Sequence, residues 1–135
     1  MLKLVIGVKG TGKTKALISA ANEALKVSKG NVVCIEKGTN LRFDVKYHAR
    51  LVNTEEYMIN DAASLYGLIC GILASNSDIT DLFIDNGMKI CSGDIVALEA
   101  MVEKLAPVTD ACNVNVFMTA SIPVEEASET IKKYC

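Results

Sequence analysis

Residues 7–14 read Gly7-Val8-Lys9-Gly10-Thr11-Gly12-Lys13-Thr14, with three glycines and two lysines in eight positions. The flanks of this turn restrict the fold. Before it, Leu2–Ile6 is a short, mostly apolar run. After it, Leu17, Ile18, Ala21 and Leu25 recur at helical spacing, with Lys15, Asn22, Glu23 and Lys26 on the opposite side. A strand must therefore end and a helix begin within eight residues.

The same alternation continues along the chain. Val32–Ile35 reads as a second buried strand, reached through the helix stop Ser28-Lys29-Gly30-Asn31. Lys37–Asn40 is a turn, Arg42–Val45 is expected to be extended, and Ala49–Asn53 a short strand. A helix is expected over Asp61–Ala74, with Gly67 and Gly71 explained by close packing. Asp81–Asp85 is a third core strand. A helix starting at Ser92-Gly93-Asp94 should end before Pro107, Val114–Met118 is another strand, and Pro123 should open a last helix over Val124–Tyr134.

Half of the residues are apolar but only 5% are aromatic, so aliphatic side chains must fill the core. That suits strands covered on both faces. The expectation is one α/β domain, residues 1–135. It has three layers, with a central, mostly parallel sheet of about five strands and helices on both faces. A chain of this length buries roughly two-thirds of its unfolded surface and needs no staples.

The chemistry of residues 7–14 follows from their types. The segment satisfies G-x-x-x-x-G-K-[ST], the P-loop pattern. Glycines let backbone N–H groups converge on phosphate oxygens, and the following helix turns its positive end toward them. Gly7, Gly10, Thr11 and Gly12 would shape the cradle. Lys13 would reach the β- and γ-phosphates, while Lys9 and Lys15 add positive potential. The Thr14 hydroxyl would ligate Mg²⁺. The implied ligands are ATP, or another nucleoside triphosphate, and Mg²⁺.

A metal–nucleotide site also needs a carboxylate facing the threonine, expected at the end of an apolar strand. Asp85, after Leu82-Phe83-Ile84, meets that requirement as second metal ligand, whereas Asp81 should lie at the far edge of the sheet. Asn86 follows Asp85. It can orient a water but cannot take a proton, which predicts slow hydrolysis unless Glu36 or Asp44 enters from another strand end. Thr119 closes a strand, and two readings stay open: contact with the γ-phosphate or water, or a hydrogen-bonded strand end. With Lys13, Asp85 and Asn86 it completes the candidate catalytic set.

These segments resemble the P-loop NTPase superfamily, in particular its additional-strand division with RecA-like and AAA-like cores. The matching stretches are Leu4–Leu17, Val32–Ile35, Asp81–Asp85 with Ser92–Leu105, and Val114–Ser121. The chain is also similar to small bacterial ATP-binding proteins, some labelled twitching-motility ATPases. The resemblance implies that the Thr119 strand lies between the P-loop strand and the Asp85 (Walker B) strand, with nucleotide at the carboxyl ends of the strands. Arg42 and Arg50 are the only arginines. An arginine finger would have to come from them or from another chain.

Other classes are disfavoured. Residues 1–50 hold ten basic and three acidic residues, +7, while residues 51–135 hold four and thirteen, −9. The basic half lacks interleaved aromatics, which argues against nucleic acid. No apolar run reaches membrane-span length, and Met1–Gly7 is too short for a signal peptide, so a soluble, cytoplasmic protein is expected. The five cysteines form no C-x-x-C pair and predict no zinc site. Cys34, Cys70 and Cys112 are expected to be buried thiols and Cys135 exposed. His48, the only histidine, is read as a surface loop residue. The leading reading is a Mg²⁺-dependent ATP-binding protein with weak or partner-stimulated ATPase activity, possible partners being another protein or a second copy. A nucleoside-type kinase is the first alternative, though the zinc ribbon and substrate lasso of thymidine kinases are absent. The second is an interaction protein holding nucleotide structurally.

Overall fold

Strands this apolar cannot leave a face to water, so each face of their sheet must be covered by helices. A computed structural model, which describes residues 1–46 and 48–135, shows that arrangement. The strands are β1 (Leu2–Ile6), β2 (Asn31–Glu36), β3 (Arg50–Asn53), β4 (Ile79–Ile84) and β5 (Asn115–Ala120). They form one sheet in the order β1-β5-β4-β2-β3, parallel at every pairing. The strand carrying Thr119 therefore lies between the P-loop strand and the Asp85 strand, as the resemblance implied.

Alternate residues of each strand feed two cores. On one face α1 (Lys13–Val27) sets Leu17 and Ala21 against Cys34 and Phe83. On the other, α2 (Ala62–Ser75) and α4 (Ile95–Ala111) set Leu65, Ile69, Leu98 and Leu105 over Ile35, Leu82, Ile84 and Met118. Each such side chain contributes about 1.5–3 kcal/mol when fully buried. The helix starts are capped as their sequences dictate: Asp61 accepts from Ser64 N at 2.7 Å and Asp94 from Ala97 N at 3.0 Å. Because all strands run the same way, their carboxyl ends gather Gly7, Ser121, Asp85 and Glu36 along one rim of the sheet.

Several expectations are corrected. Arg42–Val45 is not extended; Leu41–Phe43 is a 3₁₀ turn. Its first N–H groups are held by the Glu36 carboxylate, through Asn40 N at 3.2 Å and Leu41 N at 2.8 Å. Gly67 and Gly71 lie on the exposed side of α2, with open space where a Cβ would stand, so close packing does not explain them. Pro107 sits inside α4 instead of beyond it. It lies on the solvent side, where water can meet the carbonyl that proline leaves without a donor. Val124–Tyr134 is not one helix: a 3₁₀ turn (Val124–Glu126) and a short helix α5 (Glu129–Lys132) are separated by extended residues. The break belongs to Ser128, whose hydroxyl caps the second piece by accepting from Ile131 N at 3.2 Å. A further short helix, α3 (Gly87–Ile90), was not anticipated. Among the cysteines Cys34 and Cys91 are buried, Cys70 is half-buried, and Cys112 and Cys135 are exposed. Cys112 follows the last turn of α4, outside the core. Burial pushes the Cys34 thiol up to about 12 and the Cys91 thiol up to about 11, so both stay protonated.

Candidate functional site

The backbone of residues 7–14 shows why its glycines are required. Gly10 and Gly12 have φ of 89° and 84°, a region that L side chains rarely adopt. Gly7 has φ 149°, and a Cβ there would stand 2.8 Å from Thr11 Oγ1. The loop closes on itself: Thr11 Oγ1 donates to Val8 O at 2.8 Å, and Lys13 Nζ donates to the same carbonyl at 2.8 Å. Gly12 is the N-cap of α1 and brings no side-chain cap, and the first turn carries no acid. The N–H groups and positive dipole of α1 are thus left to an anion from outside.

The two side chains expected to hold a metal also meet. Thr14 Oγ1 lies 3.2 Å from both Asp85 oxygens. Asp85, just past β4, is held from the other side by Thr119 Oγ1, which donates to Oδ1 at 2.8 Å and accepts from Asn86 N at 2.7 Å. Of the two readings of Thr119, the hydrogen-bonded strand end describes this geometry: its single hydroxyl proton goes to Asp85. Asn86 adopts a left-handed turn, φ 55°, and its side-chain oxygen accepts from Lys89 N at 3.3 Å. Asp81 sits at the opposite end of β4, bonded to Thr80 Oγ1 at 2.8 Å.

Over this floor opens a cleft of about 530 Å³. Lys9, Lys13, Lys15 and Lys89 line it together with Asn86, Thr119 and Ser121, and no acid is among its lining residues. A site so constituted suits a polyanion. The oxygen pair of Thr14 and Asp85 suits a hard cation that takes its remaining ligands from water and phosphate. Among the described residues no group of three or more His, Cys, Asp or Glu could hold a metal alone. Lys89 and Ser121 were not anticipated. Lys89 arrives on the unforeseen α3. The signal for Ser121 was its place directly after the strand end.

Glu36 reaches the same rim from β2, the neighbour of β4. Burial raises its pKa, the Asn40 and Leu41 N–H groups oppose the rise, and Asp85 adds to it. Asp44 does not line the cleft; its carbonyl accepts from the Asn22 amide at 2.9 Å. A folded-state pKa above the unfolded value means that the folded chain binds more protons in the window between the two. Stability contributed by Glu36 is thus present in acid and lost as pH rises from the ordinary carboxylate value through the raised one. Glu36→Gln is expected to flatten that part of the profile in urea melts followed from pH 4 to 8; an unchanged slope would reject it.

No family model matches the sequence, and no curated protein matches it. Solved structures do. ATPases 2 and 3 of Thermomonospora curvata EccC, in complex with a signal sequence peptide, superpose with TM-score 0.61 at 14% identity, over 97% of this chain and 28% of that one. The flagellar accessory protein FlaH from Methanocaldococcus jannaschii superposes with TM-score 0.63 at 12% identity, over 98% of this chain and 65% of its own. The fold is that of P-loop NTPases. The chain thus spans less than two-thirds of the length of either structure, and at these identities the likeness is one of fold alone. Among the described residues no helix is long and apolar enough to cross a membrane.

Proposed function

We propose that this P-loop fold binds a nucleoside triphosphate with Mg²⁺, ATP in the first place, and hydrolyses it slowly or when a partner stimulates it. The observation that carries the reading is the conjunction of an open helix N-terminus, a lysine-lined cleft and the Thr14–Asp85 pair beneath it. The strand order, with β5 between β1 and β4, supports placing the chain in the additional-strand division.

In this reading Lys13 leaves the Val8 carbonyl for the β- and γ-phosphates, and Gly10, Thr11 and Gly12 present their N–H groups to the same oxygens. Thr14 and Asp85 would hold Mg²⁺, which when bound neutralises charge on the β- and γ-oxygens. Thr119 keeps the Asp85 carboxylate oriented. Slow turnover follows from where the proton acceptors are. Asn86 is no base and its oxygen caps α3. Glu36, the other candidate on this rim, has both oxygens committed to the turn at Asn40 and Leu41. A partner that drew the Leu41–Phe43 turn away would free that carboxylate.

Thermal or urea unfolding with Mg·ATP tests the binding reading. Free ligand at one hundred times Kd should raise stability by ~2.7 kcal/mol. Asp85→Asn keeps the shape but removes the charge. It is expected to weaken Mg·ATP binding by about 10- to 100-fold, the scale of one lost charge-assisted contact. Binding of ATP in excess chelator should not weaken, because a repulsion with the phosphates is removed. Equal loss with and without Mg²⁺ would contradict the metal role.

A further inference from the structure

We propose that Lys89 is the chain's own cation for the terminal phosphate, acting in cis where arginines are lacking. The inference rests on the nucleotide reading above and deepens it. Arg42 lies over the Phe43 ring at 4.7 Å, and Arg50 begins β3 at the rim opposite the phosphate loop. Neither lines the phosphate cleft, whereas Lys89 does.

The backbone that carries Lys89 is anchored on every side. Asn86 N is bonded to Thr119 Oγ1. Gly87 is so close to β5 that a Cβ would stand 2.8 Å from Met118 Sδ and 3.5 Å from Leu98 Cδ1. Ile90 and Cys91 are each 1% exposed, so α3 is plugged into the core. Gly93 N donates to Met88 O at 2.8 Å, and Ser92 Oγ donates to Asn60 O at 2.6 Å. On this support Lys89 lines the cleft that Lys13, Thr14 and Thr119 also line. Among the described residues its ammonium is in no salt bridge. Its charge is close enough to Glu36 to favour that carboxylate's ionised form. A cation on an anchored backbone, exposed and in no salt bridge among the described residues, can meet charge that develops during reaction.

In the reaction concerned, a water oxygen forms a new bond to the γ-phosphorus. The bond from that phosphorus to the β–γ bridging oxygen breaks, and its electron pair stays on ADP. The released proton ends on inorganic phosphate or in solvent. Lys89 would meet the negative charge spread over the transferring group.

The test is calorimetric titration of Mg·ADP, with and without aluminium fluoride, into wild type, Lys89→Ala and Lys89→Arg. Aluminium fluoride mimics the transferring phosphoryl group, so the readout does not depend on turnover. Wild type is expected to bind Mg·ADP more tightly with fluoride present. The readout is the ratio of the two affinities within each protein: Lys89→Ala should lose at least tenfold of the fluoride gain, and Lys89→Arg should recover most of it. A gain unchanged in Lys89→Ala, or no gain in wild type, overturns the Lys89 role and leaves the nucleotide site standing. A wild type that binds no Mg·ADP at all overturns the nucleotide reading itself.

Discussion

Lys13→Ala is expected to weaken Mg·ATP binding by about 30- to 1000-fold, the equivalent of 2–4 kcal/mol for a desolvated ion contact. Lys13 is only 9% exposed, and its ammonium is held against Val8 O at 2.8 Å, beside the N–H groups of the loop. A phosphate entering there meets a cation already desolvated by its surroundings, so little is lost in ordering it. The fold should be nearly indifferent. Val8 is 52% exposed, so water can replace the lysine on its carbonyl. Unfolding without ligand is expected to move by less than about 1 kcal/mol. Titration and urea melts of the variant check both halves. A large loss of stability with binding intact would mean that Lys13 is a structural residue.

Leu82→Ala carries the largest expected cost to folding, about 2–5 kcal/mol. Leu82 is fully buried in β4, opposite Val33 of β2 and Val116 of β5. Neighbouring strands on both sides prevent collapse onto the cavity, which puts the site toward the costly end. Marginal stability of 5–15 kcal/mol makes that a large share of the total. Because Asp85 directly follows β4, a partly loosened strand would also disturb the Thr14–Asp85–Thr119 contacts. Mg·ATP should therefore stabilise this variant by less than it stabilises wild type at the same concentration. A variant within 1 kcal/mol of wild type in urea would show that the central strand is not the keystone described here.

What could be read from the sequence was local. The run before Gly7 and the periodicity after Thr14 marked β1 and α1, and the apolar stretch ending at Asp85 marked β4, because each signal sits within a few residues. What could not be read depended on partners far along the chain. Glu36 holds the turn at Leu41 and shares a rim with Asp85 only because β2 pairs with β4. Lys89 was hidden because α3 has four residues, too few for a periodic pattern, and its start at Asn86-Gly87 looks like a plain turn. Pro107 and Val124–Tyr134 failed for a related reason. A helix on a solvated face tolerates a proline, and one capping hydroxyl at Ser128 outweighed a continuous helical pattern. Gly67 and Gly71 were given a packing role that their exposed positions rule out, and the structure shows no other purpose for them.

The proposed function stands or falls on whether Gly7–Thr14 and Asp85 form one metal-assisted nucleotide site. Calorimetric titration of the wild-type chain with ATP, once with millimolar Mg²⁺ and once with excess chelator, tests it most directly. One site per chain is expected, bound more tightly with Mg²⁺ present. No binding up to millimolar ATP, or the same affinity with and without Mg²⁺, would contradict it.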